Sequence, residues 1–133
     1  MARRGRGGII LCGSSSSYLG APSLAAYTAA KAFSRVFTEA LWAEMQPMGI
    51  DVLHLLVNFT ATPAMERLGI NLEKAMPSAA VAAEGLANIS NGPVWIVGGE
   101  AAIAMSENRS QVRDRAEVVR RFATPQRADI VRP

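Results

Sequence analysis

At 133 residues, half of them hydrophobic, the chain is the size of one domain and can bury roughly two-thirds of the surface it exposes when unfolded. Its 14 Lys and Arg against 11 Asp and Glu leave a formal charge of +3, a mild basic bias without a strong field. One cysteine, Cys12, and one histidine, His54, exclude an internal disulfide and fall short of the usual zinc ligand set, and no apolar run approaches the ~18–20 residues that span a bilayer.

The opening Met1-Ala2-Arg3-Arg4-Gly5-Arg6 leads into an apolar stretch of about four residues, where an export signal needs ~7–15. With the lone thiol, this points to a reducing, cytoplasmic setting. Gly7 to Gly13 is a short apolar run bounded by glycines, the pattern of a strand covered on both faces in a parallel sheet, with Cys12 as a small buried hydrophobe. Ser14 to Ser17 form a polar loop. After Pro22, Ser23 is a candidate N-cap for a long helix from Leu24 to about Met48. Phe33, Val36, Phe37, Ala40, Leu41 and Met45 recur along it at spacings of three and four, which predicts one broad face buried against a sheet or a partner.

Gly49 closes that helix, and Ile50 to Val57 is a second buried strand. Residues 63–77, with Met65, Leu68, Ile70 and Leu72 among charges, suggest one or two short helices in a long connection of the kind that often carries function. A helix opens at Pro77-Ser78, runs to about Ser90 and is stopped by Asn91-Gly92, and a third strand runs from Pro93 to Val97 before Gly98-Gly99. From about Glu100 the chain reads as helical to about Phe122, with Glu117 and Arg121 as an i,i+4 pair, and Thr124 to Pro133 reads as a frayed tail. Strands alternating with helices predict an α/β fold of the doubly wound kind, with three parallel strands and right-handed crossovers. The expected organisation is a single domain over 1–133, with its core at 7–99 and a helical tail at 100–133.

Tyr27-Thr28-Ala29-Ala30-Lys31 puts a phenol and an ammonium one turn apart on the same helix face. A nearby cation favours the phenolate, which suits the ring to exchange a proton near neutrality. Ser14 stands at the C-terminal end of the first strand, the edge at which open α/β sheets take ligands. A hydroxyl there could hold a carbonyl or alcohol oxygen without attacking it.

Gly7-Gly8-Ile9-Ile10-Leu11, then Ser14, Gly20, Pro22, Tyr27 and Lys31, then Glu44, Gly49, Ile50 and Val52, then Thr62-Pro63 follow one another in an order and spacing that resembles the C-terminal half of a short-chain dehydrogenase/reductase. The likeness covers about residues 7–65, and more loosely 78–98. It implies a partial Rossmann-like fold and an oxidoreductase that uses NAD or NADP to move hydride between nicotinamide and a small alcohol or ketone. By the same resemblance Tyr27 is the catalytic acid/base and Ser14 orients the substrate oxygen. Lys31 assists Tyr27 and binds the nicotinamide ribose, and Thr62 contacts the carboxamide. A homo-oligomer formed through the long helix 24–48 is also implied, and Met65, Leu68 and Ile70 hint at an apolar substrate pocket.

The sequence departs from the family at two places. No G-x-x-x-G-x-G or G-x-G-x-x-G precedes the active-site residues, so the pyrophosphate turn and the segment with the family's catalytic asparagine are not in this sequence, and Asn58 and Asn71 do not correspond to it. Val57-Asn58 stands where relatives show proline-glycine, and a positive φ at Asn58 would let that turn survive. The strand at 7–13 is expected to present an open edge and to favour self-association.

Rival functions have weaker support. A serine hydrolase would pair Ser14 to Ser17 with His54 but lacks the G-x-S-x-G elbow, and His54 reads instead as a strand residue with a hydrogen-bonded ring. Arg109, Arg113, Arg115, Arg120, Arg121, Arg127 and Arg132 interleave with Glu107, Asp114, Glu117 and Asp129, which reads as a solvated helix face rather than a nucleic-acid surface. The alternative to an enzyme is a non-catalytic remnant that pairs through its long helix.

Overall fold

The glycine-bounded run at the start of the chain is extended, and in the computed structural model, which describes residues 1–123, Gly7–Cys12 forms strand β1. The long helix α1, Ala25–Met45, runs back along the sheet and ends in a 3-10 turn at Gln46–Met48. Gly49 follows at φ 67°, and a Cβ there would sit 2.4 Å from the Gly5 carbonyl oxygen. Only glycine lets the chain turn that closely into strand β2, Ile50–Leu56. Strand β2 lies parallel to β1 in register from Gly7 with Ile50 to Cys12 with Leu55.

Beyond β2 come β3, Thr60–Ala61, helix α2, Pro63–Arg67, and β4, Met76–Pro77, with β3 and β4 paired in parallel. This two-residue ladder is too short to leave a periodic signal in the sequence. Helix α3, Ser78–Ala87, leads to β5, Val94–Ile96, which pairs in parallel with the other side of β2. The main sheet has the order β1-β2-β5, so the expected α/β class with three parallel strands holds. Two helices follow, α4 at Gly99–Ser110 and α5 at Arg115–Ala123.

The central strand carries the core. Val52, Leu53, His54 and Leu56 are fully buried, as a parallel strand covered on both faces requires. Leu53, Leu55, Val81 and Val97 form the buried cluster, and the absence of a side chain at Gly85 makes room for Leu55. On the same flank the Trp95 indole donates to the Glu84 carboxylate at 2.9 Å.

Three local expectations are corrected and one is narrowed. Of the sheet or partner expected against the apolar stripe of α1, the sheet does not cover its Phe33, Val36 and Phe37: Thr28 and Thr38 are the buried positions, whereas Phe33 is 70% exposed and Val36 and Phe37 are also exposed. Phe33 and Phe37 stack on each other at 5.8 Å on the outer flank. Ser23 does not cap α1, because it occupies a left-handed turn at φ 65° and Leu24 is the cap residue. Cys12 is exposed, because β1 forms the edge of the sheet among the described residues.

The tail is two helices rather than one, broken where Asp114 takes φ 55°. Glu117 approaches Arg120 at 3.8 Å. The Arg121 side chain and the stretch from Thr124 to Pro133 lie outside the described residues.

Among the described residues, the buried His54 ring makes one side-chain hydrogen bond, to Thr38. The Thr38 hydroxyl donates to the Ser34 carbonyl at 2.6 Å, so its contact with His54 Nδ1 at 3.3 Å requires Nδ1 to carry the proton and donate. Burial, reinforced by the charges of Arg35 and Lys31 and opposed by Glu39, lowers the ring's pKa to about 4. An unfolded chain would bind that proton near its ordinary value of 6.5, so in the window between the two values the unfolded state holds more protons and acid favours it.

Stability should therefore fall on the order of 3 kcal/mol as pH drops from about 6.5 to about 4. Urea unfolding at several pH values checks this, and a His54→Asn chain should lose that share of the slope. Gly13→Ala should destabilise by ~1–3 kcal/mol, the usual cost of overpacking, because the new methyl would lie 2.1 Å from His54 Nε2.

Candidate functional site

Pairing between β1 and β2 does not stop at the last strand residue. The Gly13 amide donates to the Leu55 carbonyl at 2.8 Å and the Ser15 amide to the Val57 carbonyl at 3.1 Å, which pins Ser14 at the C-terminal edge of the sheet. The Ser14 hydroxyl accepts from the Ser16 amide at 3.2 Å and lies 2.6 Å from the Ser16 hydroxyl. It thereby caps a 3-10 turn over Ser15–Tyr18.

That turn is gripped from two sides. Arg109 donates to the Ser15 hydroxyl at 2.7 Å, and Arg115 donates to the Tyr18 carbonyl. On the other side the Arg35 guanidinium lies 4.9 Å from the centre of the Tyr18 ring while pairing with Glu39 at 2.7 Å. Burial raises the Tyr18 phenol above its ordinary pKa, with Arg35 acting in the opposite sense. Two of the C-terminal arginines are thus tied to the serine loop rather than forming only a solvated face.

Tyr27 and Lys31 lie in the first two turns of α1, above the same sheet edge. Tyr27 is 46% exposed. The Lys31 ammonium stands 5.8 Å from its centre and donates to the Cys12 carbonyl at 3.0 Å. The structure therefore brings Lys31 to Tyr27 and to the end of β1, two residues before Ser14. Ser14 itself spends its hydrogen bonds on Ser16.

Thr62 lies beyond β3, where it caps α2 by accepting from the Met65 amide at 3.3 Å. This use of its lone pairs leaves the hydroxyl proton uncommitted. Asn58 does not take a positive φ. Its side-chain amide instead donates to the Val97 carbonyl at 2.9 Å, bridging the ends of β2 and β5, while its Oδ1 is buried without a partner.

The hint of an apolar pocket in the long connection is not matched. Leu68 is 68% exposed, and the concavity there, about 540 Å³, has Glu66, Asn71 and Glu73 in its wall beside Ile70 and Leu72. A second groove of about 490 Å³ runs between the serine loop, the Ala25 to Ala32 stretch of α1, and Arg115 and Val119 of α5. Among the described residues no group of three or more His, Cys, Asp and Glu could hold a metal, and no helix is long and apolar enough to cross a membrane.

Arg109, Arg115 and Thr38 are the structural contributors that sequence reasoning missed. Arg109 is 94 residues from Ser15, a separation over which no local pattern can pair side chains. For Thr38 a signal existed, because it lies eleven residues after Tyr27, close to three full turns, and so shares its face.

Comparison with known proteins bears on the whole arrangement. The family model described as short chain dehydrogenase matches residues 1–73. Very-long-chain 3-oxoacyl-CoA reductases of Neurospora crassa and Meyerozyma guilliermondii are each 38% identical over 68 and 66 residues, which are 51% and 50% of this chain but 20% and 19% of theirs. A chain solved in a study of 7beta-hydroxysteroid dehydrogenase stereoselectivity has the same fold, with a TM-score of 0.75 at 22% identity over 91% of this chain and 48% of that one. This chain thus spans about a fifth of the length of those reductases and about half of the solved chain. With more than half of its residues matched by the family model, the chain belongs to the short-chain dehydrogenase family.

Proposed function

We propose that this chain carries the proton-transfer residues of an NAD- or NADP-dependent oxidoreductase acting on a small alcohol or ketone. The observation that supports this most is the Lys31 ammonium, tied to the Cys12 carbonyl at 3.0 Å and 5.8 Å from the ring of a solvent-reachable Tyr27. The similar reductases are named for a very-long-chain 3-oxoacyl-CoA, whose 3-oxo group is a ketone, which supports the carbonyl chemistry and not the small size of the substrate.

In the reducing direction Tyr27 gives its phenolic proton to the carbonyl oxygen as that oxygen gains charge. Ser14, released from Ser16, donates to the same oxygen and holds it. The positive charge of Lys31 offsets the negative charge left on the phenol oxygen. Alcohol oxidation runs the same proton path backwards.

Bound nicotinamide supplies or accepts the hydride. The residues at this end fit it: Lys31 uses one of its three donors on Cys12 and keeps others for ribose hydroxyls, and Thr62 has a proton to give to a carboxamide. The glycine-rich pyrophosphate turn is not in this sequence, and no contact with that part of the cofactor is assigned. The outer flank of α1, with Phe33, Val36 and Phe37 exposed, is an apolar patch suited to pairing with a second copy. The lone cysteine goes with a cytoplasmic setting.

Titration of the chain with NADH and NADPH, followed by nicotinamide fluorescence, should give saturable binding of one or both, and Lys31→Ala should weaken it. Absence of binding by either would mean that this segment builds no cofactor site. In a longer chain carrying this segment, Tyr27→Phe should cut turnover by ~10²–10⁴ with little change in cofactor affinity, and unchanged turnover would remove Tyr27 from the chemistry. Sedimentation should show the mass of a dimer or larger assembly, and a Phe33→Lys, Phe37→Lys double variant should shift it towards the monomer.

A further inference from the structure

We propose that His54 is a positioning residue for this site, a buried bracket that sets the height of α1 above the Cys12-Gly13-Ser14 backbone. The inference rests on the reading of Tyr27 and Lys31 as the reacting pair, and its geometry can be tested apart from that reading.

His54 and Thr38 are both fully buried. The ring donates from Nδ1 to the Thr38 hydroxyl, which donates to the Ser34 carbonyl, and the Ser34 hydroxyl donates to the Lys31 carbonyl at 3.1 Å. These bonds descend one face of α1 from the turn bearing Lys31 to the strand beneath. On its far side the ring meets β1. His54 is the register partner of Leu11, and its Nε2, buried and without a partner, abuts Gly13 so closely that a Cβ there would come to 2.1 Å. The residue before Ser14 is therefore glycine because the imidazole fills the space that a side chain would need.

The same two elements meet once more through Lys31 and the Cys12 carbonyl. The helix is thus bonded to the end of β1 at the rim, through the ammonium, and to β2 in the interior, through an imidazole that packs against Gly13 at the end of β1. The interior bracket determines whether the rim contact can form. A ring kept neutral by its surroundings does this without adding a third charge beside Lys31 and Arg35.

Lys31 and Lys74 are the two lysines of the chain, so the folded chain carries its own control for a surface reaction. Limited acylation of amines, with Lys31 and Lys74 labelling compared by mass spectrometry, reads how firmly the Lys31 ammonium is held. His54→Leu keeps bulk and loses the donor, whereas His54→Asn retains an amide donor at the position of Nδ1.

The Leu variant should raise the Lys31 to Lys74 labelling ratio about fivefold, the weight of one ordinary hydrogen bond, and the Asn variant should stay near the unaltered chain. Thr38→Val, which removes the acceptor at nearly constant volume, should reproduce the Leu result and decides the matter where His54→Leu fails to fold. Nitrogen chemical shifts of the unaltered ring should show Nδ1 protonated and Nε2 bare. An unchanged ratio in the Leu or Thr38→Val chain, or a ratio raised as much by Asn as by Leu, overturns the proposal. The ratio reports geometry and not turnover, so a catalytically silent Tyr27→Phe would sink the enzymatic reading while leaving the bracket standing.

Discussion

Gly7 to Cys12 match Ile50 to Leu55 one for one in parallel, and that ladder decides what meets what at the C-terminal edge of the sheet. A parallel pair needs a crossover, and α1 is that crossover. The helix enters above the edge where β1 ends and returns towards the edge where β2 begins. Its first turns, with Tyr27 and Lys31, therefore lie over the end of β1, where the Cys12 carbonyl receives the ammonium. A register slip of one residue would turn every β1 side chain to the opposite face and set a different residue of β2 beneath the helix.

The polar groups packed around this edge are few, and most are paired internally. Arg35 is shared between Glu39 and the ring of Tyr18, and Arg109 and Arg115 are directed at the serine loop. Each clamp takes a cation from a helix and a group from the loop, so the helices on both sides hold the segment that presents Ser14. His54 tolerates this company because burial keeps it uncharged; a third cation beside Lys31 and Arg35 would be disfavoured.

Much of this was legible in the residues. Glycine-bounded branched runs gave three strands within a residue or two of their observed ends, because a parallel strand buried on both faces leaves a continuous apolar signature. Gly49 was readable as a helix stop for the same reason it is required, a left-handed turn against the Gly5 carbonyl. The stripe of α1 was legible as an apolar face but not its cover, since spacings of three and four do not say whether a sheet or a partner lies against it. Phe33 and Phe37 lie outward while two threonines face the sheet. Cys12 was misjudged because burial of an edge strand depends on what lies beyond the edge. The arginine latches were invisible, joined to their partners across 94 and 97 residues, and the Thr38 to His54 bond required knowing which face of the helix meets the strand.

The span between Arg109 and Ser15 has a further consequence for how the molecule comes into being. Synthesis proceeds from the N-terminus, so Ser14, Tyr27 and Lys31 leave the ribosome well before Arg109 and Arg115 exist. Until α4 and α5 follow, the serine loop has, of the arginines that hold it, only Arg35 of α1 against it. The residues nearest the candidate chemistry are thus made well before the side chains that steady their loop, and a chain released between the two would carry the site in a looser form.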